Sequence, residues 1–526
     1  MSTRLPAGRW WAIAYLGLCI GYAMTTVFSL SHFWALPVLV LWLVLAWQFR
    51  WGAPAHQVIR PRAWPWSLLP LALWWIYLFL ADSYGKVDLG AVIFHLQAGI
   101  ADNGSGGRIF VGMVYTLTGL IMLGIFTWLV RVDQRWRLLE RVLVLFLLAF
   151  NPLLFGITLE GASIVAEDGA WLERRYVPPQ IEAMPENPPN LIYLYMESTE
   201  GTYADESRFG DVYADLETLG QRGVVFKGLR QIANTGWTTA GMIASQCGTP
   251  LIPAGLLHDS QLEPLEYVVP GVDCLGDLLS RRGYNLTFMG GASLDFAGKG
   301  LFYKQHGFDT VLGREALSPR LDDPGYLNSW GLYDDSLLDM AVQRVRTLQR
   351  QPEPFGLFAA TLSAHPPYGY PARRCRNNQG AFDGKNILYS IKCTGWLTRR
   401  FVERLEREGL LDNTLVVIAS DHLAMKNSAW QALTAGEREN TLIMFGNGLE
   451  PRVIERESSM VDVLPTVLEA MGFEVPANRA GLGASLLSPA QTLLERHGIE
   501  TIDARMRSES ALQQRLWKPS SGESPR

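Results

Sequence analysis

The chain has 526 residues, more than one ordinary domain needs, and a net charge of −5 that speaks against a nucleic-acid partner. Hydrophobic residues make up 48% of it, and the long apolar runs crowd into the first ~160 positions, which excludes a uniformly soluble protein.

Five segments, 10–30, 33–49, 64–81, 109–130 and 142–159, each hold ~17 or more mostly apolar residues, about the length that crosses a bilayer core. Trp10, Trp11, Trp64, Trp66 and Trp136 sit at their ends, as an aromatic belt requires. The first segment follows Arg4 and Arg9 like a signal peptide. It is too long for such an apolar region and has no clear small-residue cleavage site, so it reads as a retained anchor. Arg50, Arg60 and Arg62 lie between segments two and three, and Arg131, Arg135, Arg137 and Arg141 between four and five. The positive-inside rule places those loops and the N-terminus in the cytoplasm, and five crossings place everything after about Gly161 outside. Between segments three and four, residues 87–98 are amphipathic and short. They read as a connecting helix or as an element lying in the outer interface.

Cys19 falls in the first apolar segment, and Cys247, Cys274, Cys375 and Cys393 fall in the exterior part. An even number in an oxidising compartment suggests two disulfides, most simply between sequence neighbours, with free buried thiols as the alternative.

Residues 161–189 read as a linker, with a stiff proline-rich stretch at 177–189. Strand-like runs then follow at 190–196, 224–232, 285–289, 355–362, 415–419 and 442–445, with helical stretches between them such as 388–407 and 461–471. This alternation predicts an α/β domain over 190–507, with a mostly parallel central sheet covered on both faces, behind an α-helical membrane domain of five transmembrane helices over 1–160. The polar tail 508–526 reads as disordered.

Ligands of open α/β sheets collect at the carboxyl ends of the strands. There the chain places Glu197-Ser198, a helix starting near Thr238, His365, and Asp421-His422. Each alone has an ordinary explanation. Thr238 could cap a helix, Glu197 could pair with an arginine, His365 could be a satisfied loop histidine and Asp421 could be a cap. Together, two carboxylates, an imidazole and a hydroxyl suit a divalent cation that activates a threonine for phosphoryl or sulfuryl transfer.

The stretches "NLIYLYMES", "WTTAGMIASQCGTPL", "CLGDLL", "FAGKGLFYKQHGFD", "WGLYDDSLLDMA" and "SDHLAMKNSAW" together resemble the type I phosphoglycerol transferase family. That family belongs to the lipoteichoic acid synthase-like branch of the alkaline phosphatase and sulfatase superfamily. The resemblance spans about 190–487. It implies a sulfatase-like catalytic domain and transfer of phosphoglycerol from phosphatidylglycerol to osmoregulated periplasmic glucans. It implies a multi-pass protein of the bacterial inner membrane with its catalytic domain in the periplasm. By the same resemblance Thr238 is the nucleophile, and Glu197, Thr238, Asp421 and His422 are ligands of Mn²⁺, with Mg²⁺ or Zn²⁺ as alternatives. His365 and Lys299 then contact substrate, although Lys299 also reads as a solvated surface lysine. Cys247–Cys274 and Cys375–Cys393 match expected disulfides. The chain departs from the pattern at Ala364, where close relatives carry a second histidine.

Rival readings are weaker. A sulfatase proper needs a cysteine or serine in a Cys-x-Pro-x-Arg context, and the stretch Cys247 to Leu251 spaces its proline differently and lacks the arginine. Phosphoethanolamine transferases usually carry another histidine soon after the Asp-His pair, where this chain has "LAMKN". A non-catalytic membrane sensor or assembly factor would not need the intact donor set.

Overall fold

A computed structural model describes residues 169–253, 265–378, 386–506 and 508–518, with isolated positions at 72, 73 and 77. Apart from those three positions, the five apolar segments and the amphipathic stretch 87–98 lie outside the described residues. Among the described residues no helix is long and apolar enough to cross a membrane.

The C-terminal part is built on an eight-stranded sheet. Its strands are β1 (Asn190–Met196), β2 (Val224–Arg230), β3 (Asn285–Gly290), β4 (Thr310–Leu312), β5 (Phe355–Ala360), β6 (Thr414–Ser420), β7 (Leu442–Gly446) and β8 (Arg452–Ser459), in the order β4-β3-β5-β1-β6-β7-β2-β8. Every pairing is parallel except those of β7, which runs antiparallel to β6 and β2.

Strand β1 shows why the runs are continuously apolar: a central parallel strand is buried on both faces. Leu191, Tyr193 and Tyr195 enter one core with residues of α1 (Thr238–Cys247), α2 (Leu275–Ser280) and α3 (Lys299–Gln305). Ile192, Leu194 and Met196 enter the other with residues of α4 (Asp334–Leu348) and α5 (Ile387–Arg407). The period of two along the strand thus divides the side chains between two helical layers.

Strands β4 and β8 were not legible as strands. β4 has three residues, and β8 reads "RVIERESS" because it is the sheet's edge, with charged side chains facing water.

Two expectations are corrected. The tail from 508 is not disordered at its start: after α6 (Ile499–Met506), Ser510–Trp517 forms helix α7, with Leu512 and Leu516 fully buried. Glu509 accepts the backbone N–H groups of Leu172 (2.6 Å) and Glu173 (3.2 Å), and the Trp517 indole donates to the Ile252 carbonyl (2.8 Å). Two leucines one helical turn apart make a buried stripe even in a polar segment. The proline-rich stretch also docks on the domain. Val177 bridges Gly481, Ala183 bridges Glu474, and Ile181 is buried.

Candidate active site

Parallel pairing of β1 and β6 runs in register as far as Met196 and Ser420. The next residue of each strand, Glu197 and Asp421, therefore leaves the sheet beside the other. Ser198 takes a positive φ of 52°, turning the chain sharply, and its N–H donates to Asp421 Oδ1 at 2.9 Å. The His422 N–H donates to the same oxygen at 2.9 Å. The other carboxylate oxygen, Oδ2, is buried with no hydrogen-bond partner among the described residues.

His422 mirrors this. Its Nδ1 lies 2.7 Å from the Leu423 carbonyl, which places the ring proton on Nδ1 and leaves a lone pair on Nε2. Nε2 is also buried, without a hydrogen bond among the described residues, 3.4 Å from Asp421 Oδ2 and 3.9 Å from Glu197 Oε1. One donor atom from each of Glu197, Asp421 and His422 lies within 4.8 Å of the others.

Burial, and then the neighbouring Asp421 charge, push the Glu197 carboxyl well above its ordinary range, partly offset by the Ser198 hydroxyl and by Lys299. Two buried carboxylates and two orphaned lone-pair atoms facing one space are costly unless a cation satisfies them. The residues present fit a divalent ion of mixed oxygen and nitrogen preference. Asp421 begins no helix, and the ion-pair neighbour of Glu197 among the described residues is His422, not an arginine. It is Glu200, three residues on and fully buried, that pairs with Arg438.

Thr238 is the first residue of α1 and half-buried, while the cap position belongs to the extended Trp237, whose side chain makes no capping bond. Three residues further on, a Cβ at Gly241 would lie 1.6 Å from the Asp421 carbonyl oxygen. Glycine at that position lets the first turn of α1 press against the backbone at the end of β6, next to the Asp421 main chain. The neighbouring Thr239 is buried and donates to the Ala297 carbonyl at 2.9 Å.

Lys299 is only 5% exposed, which overturns its reading as a solvated surface lysine. It starts α3, its charge acts on Glu197, and its Nζ lies 5.8 Å from the Phe296 ring centre. Phe296 meets Trp330 edge to face at 5.6 Å, and Trp330 lies 4.0 Å from the His365 ring. His365 is buried, with Nδ1 3.0 Å from the Pro366 carbonyl. Ala364 is fully buried in the core beside α4 and α5.

Several side chains that hold this arrangement escaped the sequence reading. Fully buried Asp334 accepts the N–H groups of Leu362 (2.7 Å) and Ser363 (3.0 Å) and the Thr394 hydroxyl (2.8 Å), fixing the segment that leads to His365. Burial raises its carboxyl above the usual range despite those bonds. Glu200 accepts the Ala424 N–H at 2.8 Å, and Arg438 donates to the Ala424 carbonyl at 2.6 Å, so the pair clamps the loop after His422. Trp330, Asp334 and Phe296 all lie within the motifs quoted above, and that was the available signal.

Cys247 is disulfide-bonded to Cys274, and Cys375 to Cys393. The first bond ties the end of α1 to the start of α2. A second group of metal-type donors, Cys274, Asp277 and His306, is spoken for: the sulfur is in that disulfide, and His306 donates to Asp277 (2.7 Å) and to the Val268 carbonyl (2.9 Å).

Residues 189–473 match the sulfatase family model. Phosphoglycerol transferase I of Escherichia coli O127:H6 is 33% identical over 423 residues, covering 78% of this chain and 55% of that protein. The phosphoglycerol transferase I of Shigella flexneri matches with the same identity and coverage. The chain thus spans about half the length of these curated relatives, 55%. The crystal structure of the lipoteichoic acid synthase LtaP from Listeria monocytogenes aligns with a TM-score of 0.49 at 15% identity, covering 66% of this chain and 97% of that one.

Proposed function

The chain belongs to the sulfatase family, and from that premise we propose that it is a membrane-anchored, metal-dependent transferase. In this reading it moves phosphoglycerol from phosphatidylglycerol to a periplasmic glucan through Thr238. One observation carries the reading: a buried Glu197–Asp421–His422 cluster with two orphaned donor atoms, at the sheet edge where a helix begins with a threonine. The stretch that supplies a cysteine nucleophile in sulfatases proper is absent, and Cys247 is in a disulfide. The group transferred is inferred from the relatives named above.

Glu197, Asp421, His422 and the Thr238 hydroxyl would hold the ion; an oxygen-rich set with one imidazole suits Mn²⁺, with Mg²⁺ or Zn²⁺ as alternatives. A divalent cation there supplies Lewis acidity, lowering the hydroxyl pKa and screening phosphoryl charge. Thr238 Oγ attacks the phosphorus. Its bond to phosphorus forms as the bond to the diacylglycerol oxygen breaks, and the proton given up by Thr238 ends on that oxygen. Glycerophosphoryl-threonine remains, and diacylglycerol returns to the membrane. A sugar hydroxyl then attacks phosphorus, its proton passing by way of His365 to the departing Thr238 oxygen. Lys299 offsets the negative charge of the phosphoryl group and of Glu197 throughout.

The five apolar segments support an inner-membrane location with the catalytic domain in the periplasm. Donor and anchor then share one surface, which raises the effective concentration of lipid at the site. The test uses the full chain, Mn²⁺ and vesicles of phosphatidylglycerol labelled in the glycerol headgroup. Label is expected on the wild-type protein and absent from Thr238→Ala. A labelled alanine variant would remove Thr238 from the mechanism. Deleting the gene should remove the phosphoglycerol mass increment from periplasmic glucans. Unchanged glucans alongside another altered envelope glycan or lipid would reassign the acceptor.

A further inference from the structure

Tyr368 is 55% exposed and is the sole aromatic among the exposed large hydrophobic side chains of the described residues. It stands three residues after His365 in a loop that is pinned from several sides. The His365 carbonyl accepts the Gly369 N–H (3.1 Å), and the Ser363 carbonyl accepts the Tyr370 N–H (2.6 Å). The Pro367 carbonyl accepts the Ser428 N–H (3.1 Å), tying the loop to the segment that begins with Asp421 and His422. Gly369 has a φ of +75°, and a Cβ there would lie 2.1 Å from Ser390 Oγ, so the backbone is packed close on its inner side. A ring held outward by a fixed backbone is preorganised for contact rather than left over from folding.

The surroundings favour one chemistry. Two residues along the same loop, the half-buried Tyr370 phenol accepts the hydroxyl of exposed Ser329 at 2.8 Å, and the Trp330 ring lies against that of His365. An exposed aromatic face, on a loop that also carries the Tyr370 phenol and its Ser329 partner, suits a ligand with an apolar face and a hydroxyl edge, which is a pyranose ring. An acyl chain would call for a contiguous apolar patch, and the other exposed large hydrophobics among the described residues, Met184 and Val453, belong to other segments.

We propose that Tyr368 is the stacking platform of a sugar subsite that seats a residue of the acceptor glycan beside His365. The proposal rests on the transferase reading above and names where its acceptor binds. The experiment supplies the full chain with Mn²⁺, headgroup-labelled phosphatidylglycerol vesicles and a soluble gluco-oligosaccharide. It measures the acceptor KM and the partition of labelled glycerol phosphate between sugar and water. Tyr368→Ala should raise the acceptor KM by about five- to tenfold and shift product toward water in proportion, as loss of one aromatic stack implies. Tyr368→Phe should stay within about twofold of wild type, since the ring face does the binding. An alanine variant with wild-type KM and partition, or a phenylalanine variant as impaired as alanine, overturns the subsite and leaves the transferase reading standing. A wild-type chain that labels Thr238 but transfers nothing to sugar overturns the acceptor reading and the subsite together.

Discussion

Single side chains carry the sharpest consequences. Among the described residues Asp421 Oδ2 and His422 Nε2 have no hydrogen-bond partner, so their cost is recovered when a cation binds. Mn²⁺ should raise the melting temperature, corresponding to about 2.7 kcal/mol at a hundred times Kd, and a chelator should reverse it. Asp421→Asn should abolish that shift, and calorimetric titration should show at least a roughly hundredfold weaker affinity. An unchanged affinity would place the ion elsewhere.

His306 makes a separate prediction about pH. Burial lowers its basicity, but the bond to Asp277 and the other acceptors outweigh this, and its pKa stands above the ordinary value. The contribution to stability is therefore fully present below about pH 6.5 and is lost as pH rises through the higher folded value. Melting curves should show wild type losing more stability than His306→Gln as pH is raised above about 6.5. Parallel profiles for the two proteins would refute the assignment.

Among the elements, α1 is the one whose placement the chemistry depends on. Gly241 is the contact point, and a methyl group there meets backbone rather than a movable side chain. Gly241→Ala should cost about 1–3 kcal/mol in chemical denaturation and depress threonine labelling more than it depresses folding. At its other end, the Cys247–Cys274 bond closes a separation of 27 residues. The double alanine variant should lose about 3–4 kcal/mol by the chain-entropy estimate.

The buried strands were legible because a parallel strand covered on both faces must be continuously apolar, as "NLIYLYM" is. The edge strand β8 was not, because one side of it faces water and its charges break that rule. Glu197 and Glu200 look alike along the chain, yet one faces the donor cluster and the other is neutralised by Arg438. Which glutamate is which depends on a partner more than 200 residues away.

Across the molecule, α7 closes the domain by bridging segments far apart along the chain. Leu512→Ala or Leu516→Ala should each cost about 2–5 kcal/mol as buried leucine truncations, measurable by urea denaturation. A loss near zero would show that the tail does not pack as described.

Read without a structure, the chain already disclosed its five apolar segments, the α/β alternation and the donor types waiting at strand ends. Those features are local: hydrophobic run length and periodicity are set by near neighbours and by the solvent each element meets. Tertiary structure alone decided that Glu197 and Asp421 emerge side by side, that Lys299 is buried, that α7 packs as a helix and that Tyr368 stands exposed. Each of these follows from pairings that cross the chain, such as Ser198 with Asp421 over 223 positions, and no local pattern encodes which distant strand will lie alongside.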